Sequence, residues 1–457
     1  MVSEIKERYK SNIKMNIAII GTGNVGLITG ACLAHVGNSV MCYDVNKKKI
    51  DNLKDGKIDL YEPGLDKIVL QNLDSNLFFT NSIKNTIENS DIIFLTVGTP
   101  MNSDGSTNMD YIYSAAKDIG VHINSKKIIV TKSTIPIGET YKIKNIITSI
   151  IKDRDVEINF DVANNPEFLK EGKGVSDFMS PDRIVVGVDN ELVKKIFVDL
   201  YRPFSINHEK LIFMDINSSE LTKYVSNAML ATKISFINEI SILAETLGAD
   251  INDVRKGIGS DSRIGYSYIY PSIGYGGSCF KKDLNSMINF SQKHNLDLKI
   301  IKSVEETNQY QKQYFLDKIL QRFGGGKTMK NKVFTIWGLS FKPGTSDVRG
   351  AVSIYIINQI LKHKGIVNLY DPKAINNIKE IFKDTESVNY FNDKYEAVNS
   401  SDALILLTEW PEFRSPNFNL MKEKLNNDLI FDGRNQYDKL YMKSLGFEYY
   451  QIGVKKI

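Results

Sequence analysis

Met15-Asn16-Ile17-Ala18-Ile19-Ile20 runs straight into Gly21-Thr22-Gly23-Asn24-Val25-Gly26. The first six residues are an apolar run of strand length. The pattern from about Val25 to His35 is helical. A GxGxxG alone is a weak signal, because glycines fall into that spacing by chance in loops. Between a strand and a helix it has the context a dinucleotide-binding turn requires. Gly21 permits the tight turn, Gly23 lets a pyrophosphate approach the backbone, and Gly26 lets helix and strand pack closely. The helix start then offers free N–H groups to phosphates.

The next strand, Ser39–Tyr43, ends at Asp44, 18 residues after Gly26. A carboxylate there suits a ribose 2′-hydroxyl and repels a 2′-phosphate, so NAD is expected rather than NADP. Lys47, Lys48 and Lys49 beside it soften that preference. Val25 and Lys49 join Gly21, Gly23, Gly26 and Asp44 as expected cofactor contacts. Short apolar runs at Asp91–Val97 and Lys127–Thr131 alternate with helical segments, which means βαβ units and a parallel sheet. Ligands of such sheets lie beyond the C-terminal strand ends. Thr99 in Val97-Gly98-Thr99-Pro100, and Thr134 in the stretch KSTIPIG, are therefore placed to touch the cofactor.

The far end of the chain echoes the near end. Lys332–Gly338 is again strand then glycine. Val367–Tyr370 followed by Asp371 repeats the Tyr43–Asp44 ending, and Ser401-Asp402-ALILLT repeats Ser90-Asp91-IIFLTV. The expected fold is α/β, with two doubly wound Rossmann-like domains joined by a long central helix. Ser218-Ser219-Glu220 reads as that helix's start. No Gly or Pro interrupts it before Leu247, and Gly248 supplies a stop. About 30 residues at 1.5 Å each give roughly 45 Å, enough to join two domains and to serve as a dimer surface. The expected divisions are an extension (1–14), a dinucleotide-binding domain (15–214), a helical central and dimerisation domain (215–325) and a C-terminal domain (326–457).

With 457 residues the chain exceeds one ordinary core. It is 42% hydrophobic and 25% charged with a net charge of only +4, as expected of a soluble protein with no call for nucleic acid or a membrane surface. No apolar run reaches membrane-span length. The opening MVSEIKERYKSNIK is polar and unlike a secretory signal. Three cysteines, Cys32, Cys42 and Cys279, are few and odd in number, which points to free thiols in a reducing, cytoplasmic setting. The histidines (His35, His122, His208, His294, His363) are scattered, so no metal is expected.

Gly274-Tyr275-Gly276-Gly277-Ser278-Cys279-Phe280-Lys281-Lys282-Asp283 carries the chemistry. A helical segment follows the cysteine. A thiol at a helix N-terminus beside lysines gains thiolate character, and the glycines let a substrate come close. Cys32 and Cys42 sit among apolar neighbours and read as core. Simple alcohol oxidation needs no thiol. A cysteine becomes useful when an aldehyde must be oxidised further, through a thiohemiacetal and a thioester.

From Met15 onward the chain resembles the UDP-glucose/GDP-mannose dehydrogenases. The motifs in order are GTGNVGLITGACLA, YEPGL (61–65), VGTP, KSTIPIG, NNPEFLKEG (164–172), ELTKYVSNAMLATKISFINE (220–239), GYGGSCFKKD, FKPGTSDVRG (341–350) and FDGRN (431–435). GTG followed by YEPGL is most similar to the UDP-glucose branch. The resemblance implies a four-electron, NAD-linked oxidation of a sugar C6 alcohol to a carboxylate by a homodimer, with the C-terminal domain binding the UDP-sugar. It makes Cys279 the nucleophile and Lys223 with Asn227 an oxyanion-binding pair. Asp283 would activate water, Glu167 would assist thioester hydrolysis near the cofactor, and Thr134 would hold a water near C6. Implied substrate contacts are Glu167, Phe168, Leu169, Lys170, Glu171, Lys223, Asn227, Tyr268, Ile269, Tyr270, Pro271, Ser272, Gly276, Lys342 and Arg434. Arg263 would reach a neighbouring subunit's site, and Lys282 and Arg349 would touch the cofactor. Two departures stand out, Asn24 where an aromatic is common and Lys281 where proline is frequent. The sugar stays open among glucose, N-acetylhexosamines and mannose. A two-electron hydroxyacid-type dehydrogenase is the first rival reading, but it leaves Cys279 and the C-terminal domain unexplained. A catalytically dead nucleotide-sugar-binding or regulatory protein is the second.

Overall fold

The computed structural model describes residues 14–205 and 209–456. The expected N-terminal extension (apart from Lys14) and His208 lie outside the described residues. The chain forms two compact units, residues 1–225 and 226–457.

The first unit holds strands β1 (Asn16–Ile20), β2 (Ser39–Tyr43), β3 (Leu77–Thr80), β4 (Ile92–Leu95), β5 (Lys127–Thr131), β6 (Phe160–Asn164), β7 (Ile184–Gly187) and β8 (Leu211–Met214). They form one sheet in the order β3-β2-β1-β4-β5-β6-β7-β8. Both faces are covered, so the central strand β4 is apolar and buried at every position. In β1, Ile17 and Ile19 enter the core on one face while Ala18 and Ile20 enter the core on the other. The order of the strands reverses between the parallel neighbours β1 and β4, which makes their C-terminal ends the ligand crevice of a doubly wound sheet.

The sheet is not parallel throughout. β7 meets β6 antiparallel, at the pair Asn164↔Gly187, and β8 then runs parallel to β7. The connection from β6 to β7 contains only the short helix Gly174–Met179, so it returns the chain beside β6 without a full crossover.

The second unit repeats the design with β9 (Val333–Trp337), β10 (Ile366–Tyr370), β11 (Val388–Tyr390), β12 (Ala403–Leu406), β13 (Leu429–Asp432) and β14 (Glu448–Tyr450). Its order, β11-β10-β9-β12-β13-β14, is that of a dinucleotide-type sheet with every pair parallel. Phe334 and Ile336 pack on one face, and Trp337, Leu404 and Leu406 on the other.

Helix α1 (Asn24–His35) follows β1. Helix α2 covers Ile216–Leu247, 32 residues, and Gly248 ends it with a φ of +78°. It starts before the expected Ser218. The cap is Asp215, whose carboxylate accepts from Ser218 N (2.9 Å) and Ser218 Oγ (2.6 Å). Helix α3 (Ser278–Lys293) and helix α4 (Lys299–Arg322) belong to the second unit. Among the described residues no helix is long and apolar enough to cross a membrane, and no group of three His, Cys, Asp or Glu side chains is placed to hold a metal.

Candidate active site

The glycine turn sits where β1 hands over to α1. Gly21 has a φ of +101°, and its N–H donates to Tyr43 O at 2.8 Å. A Cβ on Gly26 would lie 1.8 Å from Gly21 O, so only glycine lets the helix start this close to the strand. A Cβ on Gly23 would meet nothing within 4 Å. The backbone there is open, and with the N–H groups of α1 it forms a cradle that fits a dinucleotide pyrophosphate. Val25 is half-buried in the first turn of α1.

Asp44 closes this turn from the end of β2. Its Oδ2 accepts from Thr22 N (3.0 Å), Thr22 Oγ1 (2.7 Å) and Lys49 Nζ (3.3 Å), and its Oδ1 from Asn46 N (3.0 Å). Burial works against the charge of Asp44, but these donors outweigh it and hold the carboxyl below its usual range. A fixed anion at this strand end fits a ribose hydroxyl. Thr99, nearly buried, donates from Oγ1 to Thr134 O at 2.9 Å, which ties the two strand-end loops together.

Glu167 and Lys223 form the charged centre of the first unit. Lys223 Nζ lies 3.0 Å from Glu167 Oε1, and Glu167 Oε2 accepts from Leu169 N at 2.7 Å. Burial raises the Glu167 pKa, but Lys223, the Leu169 N–H and Lys132 together hold it below the usual value. Phe168 stacks under the Arg183 guanidinium, 3.9 Å from its ring centre, and Lys223 Nζ lies 5.4 Å from the same ring. Leu169 packs on the core. Lys170 turns outward and pairs with Asp177 at 3.2 Å, and Glu171 is half-buried beside it.

In the second unit, Cys279 is exposed in the first turn of α3. Gly277 precedes the helix with a φ of +85°, and a Cβ on Gly276 would lie 2.6 Å from Gly350 O and 3.0 Å from Phe341 Cβ. The cysteine loop thus packs backbone to backbone against the FKPGTSDVRG segment, next to Lys342. Lys342 Nζ lies 5.5 Å from the Phe341 ring centre. One turn into α3, Asp283 is 1% exposed. It accepts from Lys282 Nζ (2.6 Å) and Asn227 Nδ2 (2.6 Å). Lys282, Asp283 and Asn227 are therefore brought together, one turn along α3 from Cys279.

The remaining candidates are more dispersed. Tyr268 has a φ of +64°, Ile269 and Pro271 are buried, and Ser272 N donates to Asn238 Oδ1 at 2.8 Å. Tyr270 is exposed and lies under Arg255, 3.5 Å from its ring centre. Arg263 pairs with Asp261 at the surface, and Arg349 pairs with Asp347. Arg434 is nearly buried, donating to Leu407 O at 2.7 Å beside Glu409.

Three residues that support the site escaped the sequence reading. Lys132 is buried between the Thr134 and Glu167 loops. Glu62 is 5% exposed and accepts from Gly172 N (2.8 Å) and Gly174 N (2.7 Å), which clamps the loop after Glu167. Arg183 covers Phe168. The signal for Glu62 was its place in YEPGL, and for Lys132 a lysine directly after the strand Lys127–Thr131.

A dinucleotide turn on a doubly wound sheet, with a second site built on a thiol and a buried carboxylate, is the equipment of an NAD-linked dehydrogenase. The chain belongs to the UDP-glucose/GDP-mannose dehydrogenase family. The family's NAD binding domain matches residues 15–205, its central domain 217–310 and its UDP binding domain 335–439. The chain is 41% identical to the UDP-glucose 6-dehydrogenase TuaD of Bacillus subtilis, over 96% of this chain and 93% of that protein. It is 38% identical to a UDP-glucose 6-dehydrogenase of Pseudomonas aeruginosa, over 96% of this chain and 97% of that one. The structure of a UDP-glucose dehydrogenase from Pyrobaculum islandicum superposes with a TM-score of 0.88 at 31% identity, covering 98% of this chain and 99% of that one.

Proposed function

We propose that this dehydrogenase oxidises UDP-glucose at C6 to UDP-glucuronate in two successive two-electron steps. Bound NAD supplies the hydride acceptor, with two equivalents used per sugar. Lys223 and Asn227, four residues apart on α2, bind the C6 oxygen as it gains negative charge. Thr134 holds the water through which the hydroxyl proton leaves. The Cys279 thiolate adds to the aldehyde carbon, and the oxygen takes up a proton to give a thiohemiacetal. Its oxidation leaves a thioester. Asp283 and Glu167 direct water onto that carbonyl, and the carboxylate and free thiol depart. Overall, alcohol, two NAD and water give carboxylate, two NADH and three protons. Lys342 and Arg434 supply cations for the diphosphate. The reactive thiol requires a reducing setting, which fits a cytoplasmic enzyme.

One observation carries the reading. An exposed Cys279 sits in the first turn of α3, four residues before the buried Asp283 that binds Lys282 and Asn227, in a chain of this family. The test is NADH formed per UDP-glucose consumed, in wild type and Cys279→Ser. Two per sugar, with turnover collapsing in the variant, supports the covalent four-electron route. One per sugar indicates a two-electron enzyme, and binding without NADH a non-catalytic protein. No NADH with UDP-glucose moves the assay to UDP-N-acetylhexosamines and GDP-mannose.

A homodimer through α2 belongs to the same proposal. Leu221, Val225, Met229, Phe236, Leu243 and Leu247 are all exposed. At about 100° per residue they fall within a stripe roughly 80° wide.

A further inference from the structure

Lys132 directly follows β5, and its side chain is 4% exposed. An ammonium taken out of water needs acceptors and a counter-charge, or it gives up its proton. Its Nζ donates to Asn165 Oδ1 at 3.1 Å and to Asn165 O at 3.4 Å. Asn165 is itself pinned. Its N–H donates to Thr131 O (2.9 Å), its Nδ2 donates to Val185 O (2.8 Å), and its Oδ1 accepts from the Tyr201 hydroxyl. Two residues further on is Glu167. On the other side of Lys132, Ser133 Oγ donates to Val97 O at 2.6 Å, and Thr134 O accepts from Thr99. One buried lysine therefore stands at the junction of the loops that carry Thr134 and Glu167.

The charged groups facing it are Glu167, which attracts it, and Lys223, which repels it. Tyr201, through Asn165, is the other titratable neighbour, and the Phe178 ring centre lies 5.8 Å away. Two ammonium groups share one carboxylate.

We infer that Lys132 is a positioning residue. Bound to Asn165, it fixes the turn that delivers Glu167 and adds a second cation to that of Lys223 on that carboxylate's side. The inference rests on the reading of Glu167 as the group that assists hydrolysis. Burial pulls the Lys132 pKa down to about 8, with Glu167 opposing and Lys223 adding to the fall. The charge on Lys132 is thus present at neutral pH.

The test uses the full chain as Lys132→Met, Lys132→Arg and Glu167→Gln, assayed with NAD and UDP-glucose against pH, with thermal unfolding alongside. Lys132→Met is expected to lower kcat roughly tenfold or more while both KM values stay within about threefold. The acid limb of its kcat profile moves to higher pH, because Glu167 has lost a cation that favours its ionised form. Lys132→Arg keeps the charge and the wild-type limb. A wild-type acid limb in Lys132→Met overturns the inference, as does a kcat loss that only tracks the unfolded fraction. If Lys132→Met does not fold, a displaced acid limb in Lys132→Arg overturns it and an unchanged one supports it. Full activity in Glu167→Gln would instead remove the parent role of Glu167. A crippled Glu167→Gln beside a wild-type limb in Lys132→Met defeats the inference about Lys132 alone.

Discussion

Lys223 Nζ and Glu167 Oε1 lie 3.0 Å apart, with side chains only 6% and 11% exposed. Each is the condition for the other's burial. Removing Lys223 leaves Glu167 out of water with only Lys132 and the Leu169 N–H facing it, a loss of up to about 3–5 kcal/mol. Lys223→Met should lose stability on that scale in urea unfolding. The double variant Lys223→Met/Glu167→Gln should recover only part of the loss, because the Glu167 charge is gone while Lys132 loses its counter-charge. A double variant as unstable as the sum of the singles would mean the pair is not coupled.

The same pair sets an acid dependence. Glu167 is held below its usual carboxyl value, so the folded chain binds fewer protons there than the unfolded chain as the medium becomes acidic. Its contribution to stability is complete above the unfolded value and is lost as pH falls through the lower folded one. The stability difference between wild type and Glu167→Gln should shrink on acidification. A constant difference would contradict the ionised assignment.

Lys132 shifts stability with the same sign but in an alkaline window. Its pKa is about 8 when folded against 10.5 for the free side chain. Between those values the unfolded chain holds a proton that the folded chain has released, so stability rises with pH. Wild type should gain on Lys132→Met by about 3 kcal/mol as pH climbs through that window. Parallel stability curves would show that Lys132 titrates normally.

The three thiols should separate cleanly under an alkylating reagent. Cys279 is exposed, whereas Cys32 and Cys42 are buried. Burial, helped by Glu62, pushes the Cys32 thiol up to about 12, and burial raises Cys42 further. One thiol should react in the native chain, all three in denaturant, and Cys279→Ser should abolish the native reaction. Fast labelling of Cys32 would mean the first unit opens readily.

Glu62→Gln should unhook the loop after Glu167. Glutamine can accept from Gly172 or Gly174 with its one oxygen but cannot serve both as the carboxylate does. The expected cost is about 1–3 kcal/mol, with KM for the sugar nucleotide rising more than KM for NAD. Equal changes in both would assign Glu62 a purely structural role.

Much of this architecture was legible residue by residue. Ser39–Tyr43 and Lys127–Thr131 are strands with the same limits in sequence and structure, because a short strand-length run, alternately buried in the first and buried throughout in the second, leaves little room for another reading. The start of α2 was misplaced because Asp215 and Ser218 are both good caps, and the cap is decided by which side chain reaches the free N–H groups. The reversal at β7 depends on how its connection returns, which local pattern does not encode. Lys132 and Glu62 were missed for a related reason. A lone charge reads as surface until its partners are known, and those of Glu62 lie 110 and 112 positions away.

Asp44 and Asp371 occupy the same place in the two sheets, each directly after the second strand. Asp371 is 3% exposed and receives Leu339 N, Ser340 N, Ser340 Oγ, Trp410 Nε1, Lys373 N and Ala374 N. In the first sheet the carboxylate is a reader that a visiting nucleotide can consult. In the second it has become a rivet, with its lone pairs committed and an indole seated on top. The same corner of the fold thus stays open in one sheet and is sealed in the other. An engineer wishing to give the second sheet a dinucleotide would have to begin by evicting Trp410.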